Sequence, residues 1–362
     1  IMEIDKTVKY ISKLAKQLKN EDSFKSSVMS KLKNDLEGSI NFRLEDITNE
    51  QNDQATYADL LWVHDAAEAL LNNSVFSTDG STLEADRDLP IEFAAINVGY
   101  VNINYGEDPK AEFDSALSFY PDPKIQEIDS RVLSDVNSMS ALRHVMEMEY
   151  LAEKMDAFKT DAIKLGFIDG NFYPNFALSH INNNSLKQLL IKRLKAVAER
   201  VMSLAKDNAY IISYNSSPKS VHITSKMDTK ISSDFRDSEI FTELLEDNQR
   251  SAVFNEISND TDEKSLTSVS FIYLNNSYEI AKVEFIKDTI NKDAMDKIHS
   301  LVLSQVKKGN GYPKILIESH EQAVISQSDR KSISILTERE LNANNLKYTT
   351  TQKYQSKQSR NI

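Results

Sequence analysis

The chain has 362 residues, 40% apolar and 27% charged, with a net charge of −12, which is the composition of an ordinary globular protein with core enough for one large domain or two modest ones. Zero cysteines exclude disulfides, thiolate metal sites and a cysteine nucleophile and suit a cytoplasmic protein. No apolar run reaches the ~18 residues a membrane span needs, and the acidic balance argues against gripping nucleic acid over the whole surface while leaving room for a local basic channel or a partner that delivers it.

Residues 5–45 predict helix, with Val8, Ile11, Ala15 and Leu18 at helical spacing and lysines opposite. The opening Ile1-Met2-Glu3-Ile4-Asp5 lacks a basic n-region and an apolar h-region, so no secretory signal is expected there. Residues 55–72 predict a second amphipathic helix ending near Asn72-Asn73, and a short strand then runs into Asp79. Past Arg87 and Pro90 lies a strand region, Phe93 to Tyr105, in which Val101, Ile103 and Tyr105 alternate with Asn102 and Asn104. Residues 130–158 predict helix, Ile163–Asp169 a strand, and Ser185–Lys206 a helix opened by a serine N-cap. A buried strand at Ala209–Tyr214 precedes a loop at Ser216-Ser217-Pro218, and residues 238–246 predict a helix after Asp237. Val269–Leu274 and Tyr278–Ile286 predict a hairpin around Asn275-Asn276. Asp293–Lys307 predicts a helix, and Pro313 stands where a proline can open another. Residues 1–72 are therefore expected to be a helical extension for dimer or partner contacts, 73–340 the main domain, and 341–362 a polar basic tail, disordered by composition.

Glycine is scarce, 8 in all, and seven (Gly80, Gly99, Gly106, Gly166, Gly170, Gly309, Gly311) fall in or beside the segments around Asp79-Gly80, Asp169-Gly170 and Gly311-Tyr312-Pro313 to His320. Glycine serves where the backbone needs positive φ or close approach. Asp-Gly alone is a common turn, and a lone helical histidine is more often structural; the conjunction is what points to a site. The order of parts is an aspartate ending a strand, antiparallel strands, a helix with glutamates, a strand ending in an aspartate, and a late helix with a histidine. Ribonuclease-H-like nucleases set out their metal ligands in that order. Crowded carboxylates cannot all ionise without a compensating cation, and two divalent ions about 4 Å apart clamp both oxygens of a phosphodiester displacement.

Four blocks carry a more specific resemblance. Asp79-Gly80-Ser81 with Ala85-Asp86-Arg87 and Ala95-Ile96-Asn97-Val98-Gly99 is similar to the first block of the NurA nuclease family, and Asp169-Gly170-Asn171 resembles the second. Phe235-Arg236-Asp237-Ser238-Glu239-Ile240-Phe241 through Arg250-Ser251-Ala252-Val253-Phe254 resembles the middle block, and Gly311-Tyr312-Pro313 through His320 to Asp329-Arg330 the closing one. The resemblance implies a ribonuclease-H-like α/β mixed sheet flanked by helices, with helical N- and C-terminal extensions. It implies a metal-dependent deoxyribonuclease acting on DNA ends and single strands, a homodimer docked on a hexameric HerA-type translocase ATPase, in DNA end processing or anti-phage defence. Asp79, a helix glutamate, Asp169 and His320 would be metal ligands, with Tyr312 in the active site, and two ions are expected. A histidine among oxygen donors tilts the preference from Mg²⁺ to Mn²⁺.

The glutamate rests on a stripe argument. Leu142, Val145, Glu149 and Ala152 share a stripe, so Glu149 is expected to project from the apolar face toward the sheet, while Glu147 shares a polar stripe with Arg143, Tyr150 and Lys154 and is the reserve. Arg87, Lys219, Arg250 and Arg330 are expected phosphate contacts, each equally open to a structural ion pair. Asp86 is a candidate partner behind the ligands. The rival reading is a catalytically silent subunit that keeps the fold and regulates the ATPase; the presence of every ligand-type residue counts against it.

Overall fold

The protein is described by a computed structural model covering residues 10–16, 47–49, 73–84, 91–105, 109–125, 127–128, 130–160, 162–226, 235–256 and 268–345. Most of the expected N-terminal helices, Asp86 and Arg87, and the tail beyond 345 lie outside these residues. Two compact units form, one of residues 65–215, 257–270 and 283–362, the other of 1–64, 216–256 and 271–282. In chain order the strands are β1 (Ile47–Asn49), β2 (Ser74–Leu83), β3 (Ala94–Asn104), β4 (Lys110–Tyr120), β5 (Lys164–Asp169), β6 (Ala209–Asn215), β7 (Phe254–Glu256), β8 (Val269–Asn275) and β9 (Ile280–Ile286). The helices are α1 (Ser130–Leu133), α2 (Val136–Ala157), α3 (Asn175–Ser179), α4 (Asn184–Ala205), α5 (Asp237–Leu244), α6 (Lys292–Lys308), α7 (Lys314–Ala323) and α8 (Gln327–Ala343).

The larger unit is the expected mixed sheet flanked by helices. Its strands run β6-β5-β2-β3-β4, with the residues of β9 from Val283 onward beside β6. Strands β2, β3 and β4 are antiparallel neighbours, whereas β2, β5 and β6 are parallel, which requires the helical crossovers that α2 and α4 supply. One face of the sheet, including Phe76, Ile96, Val98 and Ile211, packs with Leu142, Val145, Met148 and Leu151 of α2 and Leu190 and Leu194 of α4 into a single core. Asp135 caps α2 through Ser138 N–H, and Asn183, not the serine two residues on, caps α4 through Leu186 N–H. Lys164 Nζ donates to Met155 and Phe158 C=O at 2.9 Å each, closing the other end of α2.

Strand β4 was not legible as a strand, because its outer face is exposed and its alternation mixes Phe113, Leu117 and Phe119 with serine and charge. Strand β2 also runs past the expected end: Asp79 pairs with Gly99 and Gly80 with Val98, inside the ladder. In the smaller unit, β7 and β8 form with β1 and the first residues of β9, and α5 starts at Asp237 itself. Asp237 is fully buried, accepting from Ile223 N–H, Thr224 N–H and Tyr273 O–H. No helix among the described residues is long and apolar enough to cross a membrane.

The opposite face of β2 and β3 carries α7 at unusually close range. A Cβ on Gly99 would stand 2.4 Å from Ala323 N and 2.7 Å from Ser319 O, so only glycine lets the helix backbone rest on the strand. Ser77 Oγ meets Ser319 Oγ at 2.8 Å, and Asn97 Nδ2 donates to Gln322 and Ala323 C=O, satisfying the last carbonyls of α7. Gly99→Ala is expected to lower stability by about 1–3 kcal/mol through overpacking against backbone. Gly170→Ala, at a φ of 81° but with open space around a Cβ, should cost only the ~1–2 kcal/mol of left-handed strain. Thermal melts of both variants check the pair, with Gly99→Val, larger still at the same contact, expected lowest of all.

Candidate active site

The β2–β5 register places the two aspartates together. Parallel pairing runs from Ser74 with Lys164 to Ser77 with Phe167, and the same offset continued two residues sets Asp79 beside Asp169. Carboxyl ends of parallel strands are where open α/β sheets present their sites. On the α7 side, His320 Nδ1 lies 2.7 Å from Asp79 Oδ2, and Tyr312 O–H donates to Asp169 Oδ1 at 2.5 Å. The turn between α6 and α7 makes this possible: a Cβ on Gly309 would lie 1.9 Å from Tyr312 O, and Gly311 has φ of 111°. Tyr312 also packs edge-on against Tyr214, with ring centroids 5.6 Å apart. Burial and the Asp169 charge push its phenol far above the ordinary tyrosine range, so it is a proton donor and not a base. His320 itself is 66% exposed.

The glutamate that joins them is Glu147, not Glu149. Glu149 turns away from the sheet to α4, where Arg193 Nε and Nη2 grip both its oxygens at 2.8 and 2.5 Å. The stripe containing Arg143, Glu147, Tyr150 and Lys154 is polar because it faces the sheet where β4 offers Asp114, which takes hydrogen bonds from Tyr150 O–H and Lys154 Nζ. Polarity was mistaken for solvent. Glu147 is 5% exposed and lies beneath β2: Thr78 Oγ1 donates to its C=O, and a Cβ on Gly80 would stand 2.4 Å from its Oε1. That glycine, unlike Gly170, is required for space rather than φ.

Glu147 Oε1 accepts no hydrogen bond, although Arg143 Nε stands 3.6 Å away, and His144 Nδ1 is 3.7 Å from Oε2. Burial first, opposed by Arg143, and then the charges of Asp79 and Asp169 push its carboxyl up to about 8. Arg143 Nη1 donates to Gly80 C=O at 2.5 Å, tying helix to strand. Burial holds His144 below the usual histidine range. Its Nε2 lies 3.0 Å from Phe172 C=O, while Phe172 N–H donates to Glu284 at 2.7 Å. Arg143, His144 and Glu284 had no role in the sequence reading; the i−4 and i−3 spacing of the first two from Glu147 was the available signal.

The expected basic contacts divide. Arg250 is 3% exposed and donates to Ser251 C=O, so it is a structural residue and not a phosphate contact. Lys219 is exposed in the smaller unit. Arg330 is exposed on α8 and reaches Thr82 C=O at the end of β2.

With this geometry, comparison with known proteins has a clear outcome. The family model described as the NurA domain matches residues 73–325, most of the chain. The chain belongs to the NurA family. Its structure is similar to the crystal structure of the NurA nuclease from Sulfolobus solfataricus, with a TM-score of 0.53 and 14% identity, covering 93% of this chain and 98% of that one. At that identity the likeness is one of fold. A prototype foamy virus protease–reverse transcriptase matches 39% of this chain and 17% of its own at 17% identity and a TM-score of 0.25, too low to carry an argument. No curated protein matches. The NurA match begins at β2 and takes in Asp79, Glu147, Asp169, Tyr312 and His320.

The raised Glu147 carboxyl has a definite consequence for stability. Between about pH 4.5, its ordinary value, and about 8, the folded state keeps a proton that the unfolded chain has released. The folded state binds more protons there, so stability falls as pH rises through the window. In EDTA, melting curves from pH 5 to 8 should show Glu147→Gln gaining on the wild type as pH rises, by on the order of a few kcal/mol at the upper end. Glu149→Gln, which weakens the half-buried pair with Arg193 but leaves the raised Glu147 carboxyl untouched, should run parallel to the wild type.

Proposed function

We propose that this NurA-family protein is a metal-dependent deoxyribonuclease that hydrolyses DNA phosphodiester bonds. The observation that carries the reading is Glu147: a buried carboxyl with an unmatched oxygen, charged against by Asp79 and Asp169. Three carboxyls within reach of each other's charge are unfavourable as an end in themselves and fit a divalent cation that replaces the missing compensation. Among the described residues no group of three such side chains is drawn into ligating array as it stands, since Asp79 and Asp169 each spend an oxygen on His320 and Tyr312. Loading the site therefore calls for those two hydrogen bonds to be exchanged for cation contacts.

Asp79, Glu147, Asp169 and His320 would hold the cations, Mn²⁺ or Mg²⁺ and two in number, with the imidazole favouring Mn²⁺. When bound, such ions supply the charge that activates water and steadies the negative oxygens of the phosphodiester. Glu147 must shed its proton for this, and Arg143 steadies the carboxylate that results. Tyr312, held protonated, donates to Asp169 and can hand the same hydrogen bond to a phosphate oxygen. Arg330 and Lys219 are exposed cations available to the DNA backbone. Family membership extends the reading to assembly and setting: a cytoplasmic homodimer docked on a HerA-type hexameric ATPase that supplies DNA, in end processing or defence against phage.

The test is cleavage of end-labelled DNA with Mn²⁺, with Mg²⁺ and with EDTA. Cleavage in Mn²⁺, less in Mg²⁺ and none in EDTA is expected. Asp79→Ala, Asp169→Ala and Glu147→Gln should each lose activity by two orders of magnitude or more, on the order of ~3 kcal/mol of transition-state stabilisation, while melting at or above the wild-type temperature once carboxylate repulsion is relieved. Glu149→Gln should stay within about a few-fold of wild type. Full activity in EDTA, or in all three variants, would overturn the reading.

A further inference from the structure

Beyond Asp169 the chain changes character. Residues 170–198 contain Lys187, Lys192 and Lys195, with Arg193 taken up by Glu149, and no aspartate or glutamate, in a protein whose net charge is −12. At the head of this segment, Phe176 of α3 is 72% exposed, the highest value of any large hydrophobic among the described residues. It does not stand alone. The ring of His180, at the end of the same short helix, lies over it with centroids 4.4 Å apart and planes 36° from parallel. His180 Nδ1 lies 2.8 Å from Phe176 C=O, and because a carbonyl only accepts, Nδ1 carries the proton. Ser179 Oγ donates to the same carbonyl at 2.8 Å and meets Nδ1 at 3.0 Å, so the imidazole is fixed in place.

The platform is also tied to the site. Phe176 follows Asp169 by seven positions, a reach of at most ~25 Å. Midway, the Phe172 peptide is pinned on one side by Glu284 and on the other by His144, the residue that abuts Glu147. Phe172 and Tyr173 are buried and pack edge to face at 5.1 Å, so the loop that carries α3 is anchored and not free to fold its phenylalanine away. An exposed aromatic ring on an anchored loop, in a stretch of sequence whose only charged side chains are basic, has the chemistry of a base-stacking surface for single-stranded nucleic acid.

We infer that Phe176 and His180 form a stacking site for an unpaired nucleobase, holding a single-stranded or frayed DNA end as it enters the site at Asp169. The inference rests on the proposed nuclease reading for its setting, but its test does not need cleavage. A single-stranded oligonucleotide bearing 2-aminopurine near its end is titrated with the full-length protein in EDTA, following anisotropy and quenching. Wild type is expected to bind and quench. Phe176→Ala should weaken binding about tenfold or more and abolish most of the quench, Phe176→Tyr should restore both, and His180→Ala should give an intermediate loss. Blunt duplex binding should change by less than about twofold, since paired bases are held in the helix and cannot splay out onto the ring. The exposure of Phe176 predicts wild-type melting for all these variants, to be checked by light scattering and thermal melts.

Wild type that fails to quench, Phe176→Ala that binds single strands normally, or equal loss on single strands and duplex would each overturn the inference. So would a Phe176→Ala protein that binds DNA normally but changes its assembly mass, which would make the pair a protein contact. Quenching that depends on Phe176 in a protein that never cuts DNA in Mn²⁺ would overturn the nuclease reading and leave the stacking site standing. Cleavage unaffected by Phe176→Ala in both rate and KM on single strands would do the reverse.

Discussion

The larger unit is organised around one unfavourable arrangement, the burial of Glu147 with an unmatched oxygen beside two other carboxyls. An uncompensated buried charge costs several kcal/mol, so the fold accommodates it by raising the carboxyl's proton affinity and by placing a guanidinium one helical turn back. Other features follow from the same requirement. Gly80 must lack a Cβ so that β2 can lie over the carboxyl. His144 stays neutral through burial, and adds no second charge to the pocket. Its far nitrogen meets the Phe172 carbonyl, whose amide is held by Glu284, so α2, the loop after Asp169 and the end of β9 are locked to each other through the residues surrounding one carboxyl.

The other face of the sheet solves a different problem, that of bringing a late helix onto the first strand of the site. It does so with backbone contact. Gly99 lets α7 rest on β3, Asn97 satisfies its final carbonyls, and Gly309 tightens the turn that delivers Tyr312 to Asp169. Glycines at such contacts are steric requirements, and their substitution acts on position before chemistry. The site is thus made from two faces: Asp79, Asp169, Tyr312 and His320 lie together on the α7 side, and Glu147 enters from the α2 side beneath the strand. Glu147 and the α7-side residues belong to different layers that the sheet holds together.

Much of this was legible in the sequence, and the failures are instructive. The order of strands and helices emerged from periodicity and turn residues, and the family, with the mixed sheet it implies, from the resemblance carried by the four blocks. Helix phase around the site did not. The stripe rule assumes that polar residues face water, yet the stripe of Arg143, Glu147, Tyr150 and Lys154 faces a sheet whose edge strand supplies Asp114. A buried functional carboxylate inverts the signal by which burial is read, and the apolar-looking neighbour Glu149 is left to a surface pair with Arg193. Arg250 fails for a related reason: a charge in a matched block reads as a ligand contact until burial shows it bonded to the neighbouring Ser251 carbonyl. Strand β4 escaped notice because an edge strand with an exposed face lacks the clean alternation that betrays a half-buried one.

Net acidity, finally, constrains how the protein can meet DNA. A polyanion approaching a surface of −12 is repelled at long range, and the carboxyl cluster adds local repulsion until cations screen it. Phosphate attraction alone therefore makes a poor basis for capture by the isolated chain. Stacking does not share that defect, because it depends on ring contact rather than charge and is largely indifferent to sequence. Placing the exposed Phe176–His180 pair in the acid-free stretch that begins just after Asp169 separates the two tasks. On the proposed reading, aromatic contact would retain a single-stranded end, and cations held by the carboxyls would act only on the phosphate that has already arrived. Such a division would favour unpaired ends over continuous duplex without any base-specific contact, and would leave long-range delivery of DNA to a partner of opposite charge.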